Sequence, residues 1–357
     1  MVKKERRTRS RWIISFAIIA TSLELYLLGS RVRSKLPPPW RPHSGTAKDV
    51  QSLDFSFSEA TKVLAIEPYH GMGNRLRAYA SAAALAKKSN RKLVVIWNPD
   101  VHANYSWTDL FLETKGVSFV DSKFLPALYS SKKGVDVYDY MDEVTKGKTV
   151  DALTDKHVYV RSAFCLTGNP PLSDSDINLE LQQLQPNPVV TEIISSFRRQ
   201  NSRTQLIGVH VRMLADQTKD IPGIKELPFD SAAGLHLQQA AVSHRKRCHV
   251  TNFLPHIASE LENLPDASIF VASDSTEAVK EISSIFSDRK VISTDDGLLH
   301  ACDGSARRQK KCSQHALAEF LFMSSANSIL TSDWSSASEL IIRLSHSSHR
   351  SGCALEI

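Results

Sequence analysis

The stretch from residue 268 to residue 294 decides the fold. It contains SIFVASD (268–274), STEAVKEISSIF (275–286) and KVIST (290–294). The first and third are short apolar runs rich in β-branched residues, and the middle one carries its apolar residues at helical spacing. A strand, a helix and a strand in this order form a βαβ unit, and such a unit requires a parallel sheet.

The same alternation continues on both sides of this unit. Upstream, TQLIGVHVRM (204–213) predicts a buried strand, and a helix is expected near 249–261. Downstream, SQHALAEFLFMSSA (313–326) predicts a helix, SILTSD (328–333) a strand and SSASELIIRLSH (335–346) a helix. Alternation this regular indicates a parallel sheet with helices on both faces.

A second βαβ unit lies nearer the N-terminus. KVLAIEP (62–68) predicts a strand, which a glycine turn and an alanine-rich helix connect to the strand LVVIW (93–97). A further strand is expected in 157–164 and a helix near 189–200. The fold class is therefore α/β, with two Rossmann-like domains that face a cleft, and the predicted bounds are 61–200 and 201–357. Ligands of such sheets bind beyond the carboxyl ends of the strands.

Residues 12–29 (WIISFAIIATSLELYLLG) form an apolar run with six Lys or Arg before it and three shortly after it. At ~1.5 Å per residue the run is just long enough to cross a bilayer, and the heavier basic flank predicts a cytoplasmic N-terminus. We therefore expect a cytoplasmic tail (1–11), a signal-anchor transmembrane helix (12–29) and a proline-rich stem (30–60). The body would lie in the lumen of the Golgi or endoplasmic reticulum as a type II membrane protein. A cleaved signal peptide is the alternative.

The charge of the chain is concentrated in this segment. The formal net charge is +6, and residues 1–35 hold nine Lys or Arg against two Glu, so the remainder of the chain carries −1. A nearly neutral body lacks the broad basic face that binding to a phosphate backbone needs. Nucleic acid is therefore excluded as a partner.

Cysteine content and one sequon fit an oxidising compartment. Five cysteines permit two disulfides and leave one thiol over. Cys302 and Cys312, which would close a short loop, are the preferred pair, and no C-x-x-C spacing favours metal binding instead. Asn104, in Asn-Tyr-Ser, is the expected N-glycosylation site.

Polar residues gather where four predicted strands end. Glycines in the first half can turn the chain sharply and bring backbone N–H groups to an anion at a helix start, although an ordinary tight turn would also use them. Arg212, on an otherwise apolar strand, either pairs internally with Asp216 or Asp274 or clamps a diphosphate. Ser335 and Ser336 either bond phosphate oxygens or only cap a helix. The four groups are His70 to Arg75, His210 with Arg212, Ser273 with Asp274, and Ser332 to Ser336.

These residues carry a resemblance to a known family. GVHVRM (208–213), FVASDSTEAVKEI (270–282) and ILTSDWSSASELI (329–341) resemble the three successive motifs of the fucosyltransferase superfamily that includes the α1,2-, α1,6- and protein O-fucosyltransferases. The segment 71–97 is similar to the glycine loop and helix of the same group. The resemblance implies a GT-B fold, with 61–200 as the acceptor-side domain and 201–357 as the nucleotide-sugar domain. It also implies an inverting transfer of fucose from GDP-fucose to a glycan or protein hydroxyl, with no required metal or other cofactor.

Site residues follow from the resemblance position by position. Arg212 matches the arginine that holds the β-phosphate and stabilises the departing diphosphate, and His210 matches the histidine near the nucleotide. Glu319 falls where one branch has a carboxylate facing guanine. The residues expected to bind the donor are Gly71, Gly73, Asn74, Arg75, His210, Arg212, Asp274, Glu319, Ser335 and Ser336.

The general base stays open. The acidic residue that often follows the motif arginine closely is absent, and the candidates in the next loop are Asp216, Asp220 and Glu226. Arg212, Asp216 and Glu226 are thus the expected catalytic residues. One alternative is a metal-dependent transferase of the GT-A architecture with Asp174-Ser175-Asp176 as its metal site. Another is a catalytically silent, membrane-anchored module that binds a glycan or a nucleotide.

A capping box is also predicted in the second half. Asp274 precedes the predicted helix 275–286, and Glu277 follows it by three residues. This spacing places the Asp274 side chain where it can accept the first free N–H groups of the helix.

Overall fold

A computed structural model of the chain describes residues 61–142, 145–201, 205–213, 243–244, 246–302 and 308–353. The predicted tail, transmembrane helix and stem lie outside these residues, and so do Asp216, Asp220 and Glu226. Across the described ranges, no helix combines the length and the apolarity that crossing a bilayer requires.

The first sheet is entirely parallel and is formed before residue 163. The elements of this part are β1 (Val63–Pro68), α1 (Met72–Lys88), β2 (Lys92–Ile96), a 3-10 helix (Trp107–Asp109), β3 (Val117–Val120), α2 (Phe124–Tyr129), β4 (Val135–Asp139), β5 (Val150–Asp151), β6 (His157–Ser162), β7 (Gly168–Asn169), α3 (Asp174–Gln182) and α4 (Pro188–Gln200). The strand order of the sheet is β3-β2-β1-β6-β4 within the described residues. A short separate ladder pairs β5 with β7.

The second sheet is parallel as well. Its part of the chain contains β8 (Leu206–Val211), α5 (Val250–Asn263), β9 (Ser268–Ser273), α6 (Thr276–Ile285), β10 (Val291–Ser293), α7 (Asp296–Ala301), α8 (Lys310–Met323), β11 (Ser328–Thr331), α9 (Ser336–Leu344) and β12 (Ser348–Ser351). The strand order is β10-β9-β8-β11-β12 in the described part of the chain. The chain moves outward from β8 to β10 and then returns to the other side of β8, so the strand order reverses between β8 and β11.

The α/β class with parallel sheets is confirmed. The elements that were not predicted are the edge strands β3, β4 and β12, the short strands β5 and β7, and the helices α2, α3 and α7. β3 and β4 are only half-buried, and β12 (SHRS) is mostly exposed, so none of them shows a strong apolar run. The domain bounds 61–200 and 201–357 stay a prediction. By their contacts, residues 56–357 form one compact unit.

One apolar core connects the two sheets. The cluster contains Leu64 and Leu85 from the first half and Phe270, Ile329 and Leu340 from the second. A smaller cluster on the other face of the second sheet packs Val209, Phe253 and Ile269 together. Because buried side chains interdigitate closely, a shared core resists relative movement of the two sheets.

Two disulfides occur in the described residues. Cys302 and Cys312 are bonded, as predicted, and the second bond joins Cys248 to Cys353. Cys165 is free. The Sγ of Cys353 accepts the N–H of Asp333 at 3.3 Å, so the second disulfide also supports the turn that follows β11.

Removing the longer disulfide is expected to destabilise the fold more than removing the shorter one. Cys248 and Cys353 are 105 residues apart, and Cys302 and Cys312 only 10. The entropy of closing these loops corresponds to about 4.7 kcal/mol for the long loop and below about 3 kcal/mol for the short one. Urea denaturation of the two double-serine variants under oxidising conditions measures the difference. Equal losses would contradict the loop-entropy explanation.

Candidate functional site

Two turns of the same design lie at the carboxyl ends of β1 and β11. His70 (φ 65°) precedes Gly71, which is the N-cap of α1, and Trp334 (φ 55°) precedes Ser335, which is the N-cap of α9. A left-handed backbone at a non-glycine residue costs on the order of 1–3 kcal/mol and is frequent at functional sites. Each turn places a helix N-terminus at the carboxyl edge of its sheet.

The two helix N-termini meet at Gly73. A Cβ atom on this residue would lie 2.3 Å from the carbonyl oxygen of Ser336 and 3.0 Å from its Oγ. Sequence analysis expected Gly73 to allow a sharp turn, but it lies inside α1, and the close approach of α9 is what requires glycine there. The carboxyl edges of the two sheets therefore adjoin, with two positive helix dipoles at the junction.

Arg212 follows β8 at this junction and pairs with Asp274. Its Nη1 lies 2.8 Å from Oδ2 of Asp274, and its backbone N–H donates to Oγ of Ser332 at 2.8 Å. The internal pairing that sequence analysis kept open is thus present. The Arg212 side chain is still 20% exposed, so the ion pair does not close it off from solvent completely.

The predicted capping role of Asp274 is wrong. The N-cap of α6 is Ser275, and no side chain caps it. Asp274 instead accepts the N–H of Met213 at 2.9 Å through Oδ1 and holds Arg212 through Oδ2. A partly buried guanidinium needs an anionic partner more than a helix end that water can reach needs a cap.

The first turn of α9 carries a hydrogen-bonded group of hydroxyls. His210 is buried at the end of β8, and its Nδ1 lies 2.8 Å from Oγ of Ser338. Ser335 accepts the N–H of Ser338 at 3.4 Å, so the capping role left open for Ser335 is present. Sequence analysis missed Ser338, although its place one turn after Ser335 was a usable signal.

Arg75 does not have the position expected of a donor ligand. Its side chain is only 1% exposed and lies over the ring of Trp97. Nε donates to the carbonyl of His70 and Nη1 to that of Asn98, each at 2.8 Å, while Nη2 pairs with Asp100. These contacts make Arg75 a positioning residue that holds the His70 turn.

A further bridge connects α1 to α9. Arg77 donates to Oδ1 of Asn74 at 2.6 Å and to Oε2 of Glu339 at 2.5 Å. Asn74 therefore lies at the contact between α1 and α9, and its donor-binding role stays a prediction. Sequence analysis missed Arg77 and Glu339 because their pairing joins residues 262 positions apart.

Glu319 is buried rather than exposed on its helix. It accepts a hydrogen bond from the hydroxyl of Thr294, and burial raises the pKa of its carboxyl to about 7. Near neutral pH this side chain therefore exchanges readily between the protonated and ionised forms.

The two aspartates of the alternative D-x-D metal site, Asp174 and Asp176, lie at the start of a helix and form ion pairs. Asp176 forms a capping box with Ser173 at the start of α3 and pairs with Lys88 at 2.6 Å. Asp174 pairs with Arg343 at 2.9 Å. Within the described ranges there is no group of three or more side chains suited to hold a metal ion. Both aspartates of this triplet are therefore engaged in contacts within the fold.

Asn104, the predicted glycosylation site, is exposed. Its Nδ2 donates to Oε1 of Gln309 at 2.9 Å, and its backbone N–H donates to the carbonyl of Arg308 at 3.0 Å. The segment before α8 is thus attached to the first half of the chain. Glycosylation of Asn104 stays a prediction.

Comparison with known proteins places this geometry in a fold group. No family model matches the sequence, and no curated protein matches it. The fold is similar to that of POFUT1 in complex with GDP-fucose, at 13% identity over 81% of this chain and 97% of the other, with a TM-score of 0.51.

Two further structures extend the comparison. The apo form of POFUT1 gives 13% identity, 85% and 99% coverage and a TM-score of 0.50. NodZ α-1,6-fucosyltransferase soaked with GDP-fucose gives 13% identity over 80% of this chain and 93% of the other, with a TM-score of 0.47. The resemblance predicted from the motifs is confirmed at the level of the fold.

Proposed function

We propose that the chain is an inverting fucosyltransferase that moves fucose from GDP-fucose to a hydroxyl of a glycan or glycoprotein. The observation that supports this most is the contact between Gly73 and Ser336. It brings two helix N-termini together beside Arg212, and a diphosphate is the ligand chemistry that such an arrangement favours.

In the proposed fucosyl transfer, residues near the contact of α1 with α9 act on the leaving diphosphate. The acceptor oxygen attacks the anomeric carbon, the bond to the β-phosphate oxygen breaks, and GDP leaves with the electron pair. Arg212 and the helix N-termini stabilise the charge that develops on the diphosphate. The acceptor proton passes to a base, for which Asp216, Asp220 and Glu226 remain the candidates.

The cellular setting belongs to the same proposal. The basic flanks around residues 12–29 and the proline-rich segment after them support a type II membrane protein of the Golgi or endoplasmic reticulum. Both disulfides agree with a lumenal body, because such bonds persist in oxidising compartments.

A nucleotide panel tests the donor. Thermal shift of the full chain with GDP-fucose, GDP-mannose, UDP-galactose and CMP-sialic acid should show stabilisation by the two GDP sugars. Preference for a UDP sugar would overturn the donor assignment. Tight GDP binding without transfer to any of a broad set of acceptors would favour the silent binding module.

Glu319 is expected to make donor affinity depend on pH. An ionised carboxylate accepts the N–H groups of a guanine edge, and a protonated one does not accept both. With a pKa of about 7, the ionised fraction rises about tenfold between pH 6 and pH 8, so the affinity for GDP-fucose should rise about tenfold over that range. Calorimetry at both pH values measures this, and the diester of GDP-fucose does not itself titrate there.

The control for this prediction is Glu262→Gln, which changes an exposed glutamate on α5. It should keep the pH dependence, and Glu319→Gln should abolish it. The raised pKa also means that the folded chain holds a proton which the unfolded chain releases between about pH 4.5 and 7, so unfolding free energy should fall as pH rises through this window. A flat affinity profile in the wild-type chain would remove Glu319 from guanine recognition.

A further inference from the structure

A second polar group lies at the carboxyl edge of the first sheet. Glu67 on β1 is paired in register with Arg161 on β6, and Arg161 is paired with Asp139 on β4. Laterally paired residues point to the same face of a sheet. The alternate residues, such as Ile66 and Val160, belong to the core on the α1 side, so the three charged side chains lie on the opposite face. Together with Tyr69 and Tyr159 they form what we call the edge cluster.

Glu67 is the fixed member of the edge cluster. It is buried, and it accepts hydrogen bonds from the hydroxyls of Tyr69 and Tyr159 and from Nδ2 of Asn98. The carbonyl of Asn98 accepts from Arg75, which also holds the turn before α1. We call the contact of α1 with α9 at Gly73 and Ser336 the donor-side junction. The edge cluster is therefore attached to the donor-side junction by a continuous series of hydrogen bonds.

Arg161 is held in place by Tyr69, but its pairing with a carboxylate is loose. Its guanidinium lies over the ring of Tyr69 at 4.4 Å, and its Nη1 is 3.6 Å from Oδ2 of Asp139, which is beyond hydrogen-bond distance. Its Nε is enclosed and has no hydrogen-bond partner among the described residues. The side chain is 34% exposed, so its outer N–H groups can reach a ligand.

An exposed aromatic and aliphatic surface adjoins these charges. Tyr129 is 45% exposed, with its ring edge against Tyr159, and Val137 on β4 is 53% exposed. In register, Val137 lies beside Tyr159, on the face that bears Arg161. An aromatic ring and an apolar side chain next to a guanidinium and a carboxylate suit a sugar. The C–H faces of a sugar pack on aromatic rings, and its hydroxyls both donate and accept hydrogen bonds.

The location also fits a ligand. β2 lies on one side of β1 and β6 on the other, so the strand order of the first sheet reverses between β1 and β6. Open parallel sheets bind ligands at the carboxyl edge of this switch point. Tyr69 is only two residues before Gly71, where the donor-side junction begins.

We propose that the edge cluster binds the acceptor, and that this acceptor is a neutral sugar residue of a glycan. Arg161 and Asp139 hydrogen-bond adjacent hydroxyls, and Tyr129 packs against the sugar ring. Two carboxylates accompany one guanidinium, so an acidic sugar would be repelled. The proposal rests on the proposed transferase function and adds the class of its acceptor.

Saturation-transfer NMR on the full chain tests the sugar site without any turnover. The probes are neutral disaccharides of glucose, galactose and N-acetylglucosamine, with glucuronic acid disaccharides as the acidic comparison. We expect transfer to at least one neutral probe and weaker transfer to the acidic ones. Absence of transfer to every neutral probe, or a preference for the acidic ones, would overturn the proposal.

Variants locate the binding. Arg161→Gln should weaken binding of the neutral probe at least tenfold, since a hydrogen bond to a charged group is lost. Tyr129→Ala, at an exposed position, should weaken it severalfold without threatening the fold. The matched control is Asp136→Asn, on the same β4 strand but paired with Lys156. Unchanged probe affinity in Arg161→Gln and Tyr129→Ala would place the sugar elsewhere.

GDP-fucose binding distinguishes failure of the proposed sugar site from failure of the proposed fucosyltransferase function. Both variants should retain the thermal shift caused by GDP-fucose, because neither residue lies at the donor-side junction. If GDP-fucose causes no thermal shift in the wild-type chain, the donor assignment is contradicted. Binding of the neutral probe could still be measured in that case. Normal donor binding with transfer only to folded proteins would contradict the sugar site and leave the transferase function standing.

Discussion

Replacing Arg212 by alanine should reduce fucosyl transfer by 10²- to 10³-fold, mainly through kcat. The guanidinium stabilises charge that appears on the diphosphate only as the glycosidic bond breaks, and removal of one such preorganised donor has effects of this size. The measurement is release of GDP from GDP-fucose with a saturating acceptor. Turnover that survives the substitution would remove the proposed mechanism.

The ion pair with Asp274 demands a control for folding. Asp274 is mostly enclosed, with 10% of its side chain exposed, and would lose its cationic partner in Arg212→Ala, which can destabilise the chain by up to about 3 kcal/mol. The double variant Arg212→Ala with Asp274→Asn removes both charges and keeps an acceptor for the N–H of Met213. It should fold normally and remain inactive.

Asp274→Asn by itself distinguishes the two roles of Arg212. If the arginine acts on the diphosphate, this variant keeps most of its activity because the guanidinium remains. If the ion pair is purely structural, Asp274→Asn should lose as much activity as Arg212→Ala. Arg212→Lys should be intermediate, since it keeps the charge but loses the planar fork.

Gly73→Ala should destabilise the fold by about 2 kcal/mol or more, although alanine is the better helix residue by about 1 kcal/mol. The new Cβ would lie 2.3 Å from the carbonyl oxygen of Ser336, so α1 and α9 must separate. That separation should also weaken GDP-fucose binding, because the two helix N-termini no longer converge. Urea denaturation and calorimetry measure the two effects.

Gly71→Ala is the matched control. This glycine has φ −70°, and a Cβ placed on it meets nothing within 4 Å. Its unfolding free energy should stay within about 0.5 kcal/mol of the wild type, which is the size of a minor capping change. Equal effects at Gly71 and Gly73 would show that the contact with Ser336 is not what restricts position 73.

Sequence analysis predicted the elements that have strong local patterns. The buried strands β1, β2, β8 and β9 and the helices that follow β9 and β11 were all expected, because each is a compact apolar run or an amphipathic segment. β12 escaped because an exposed edge strand needs no apolar residues. For the candidate site, the strand-end positions were expected, and Asp274 was one of two partners considered for Arg212. The partners of the other side chains were not expected.

The sequence by itself indicated the βαβ units of both parallel sheets, the polar residues at the strand ends and the Cys302–Cys312 bond, since these depend on residues close together in the chain. Only the tertiary structure decided that Gly73 must admit Ser336, that Arg75 holds a turn from inside the core, and that Asp274 serves Arg212 instead of capping a helix. Each of these depends on which distant residue arrives within a few ångströms. Local conformational preferences of the chain cannot specify such a tertiary contact, because it forms only when the whole core packs.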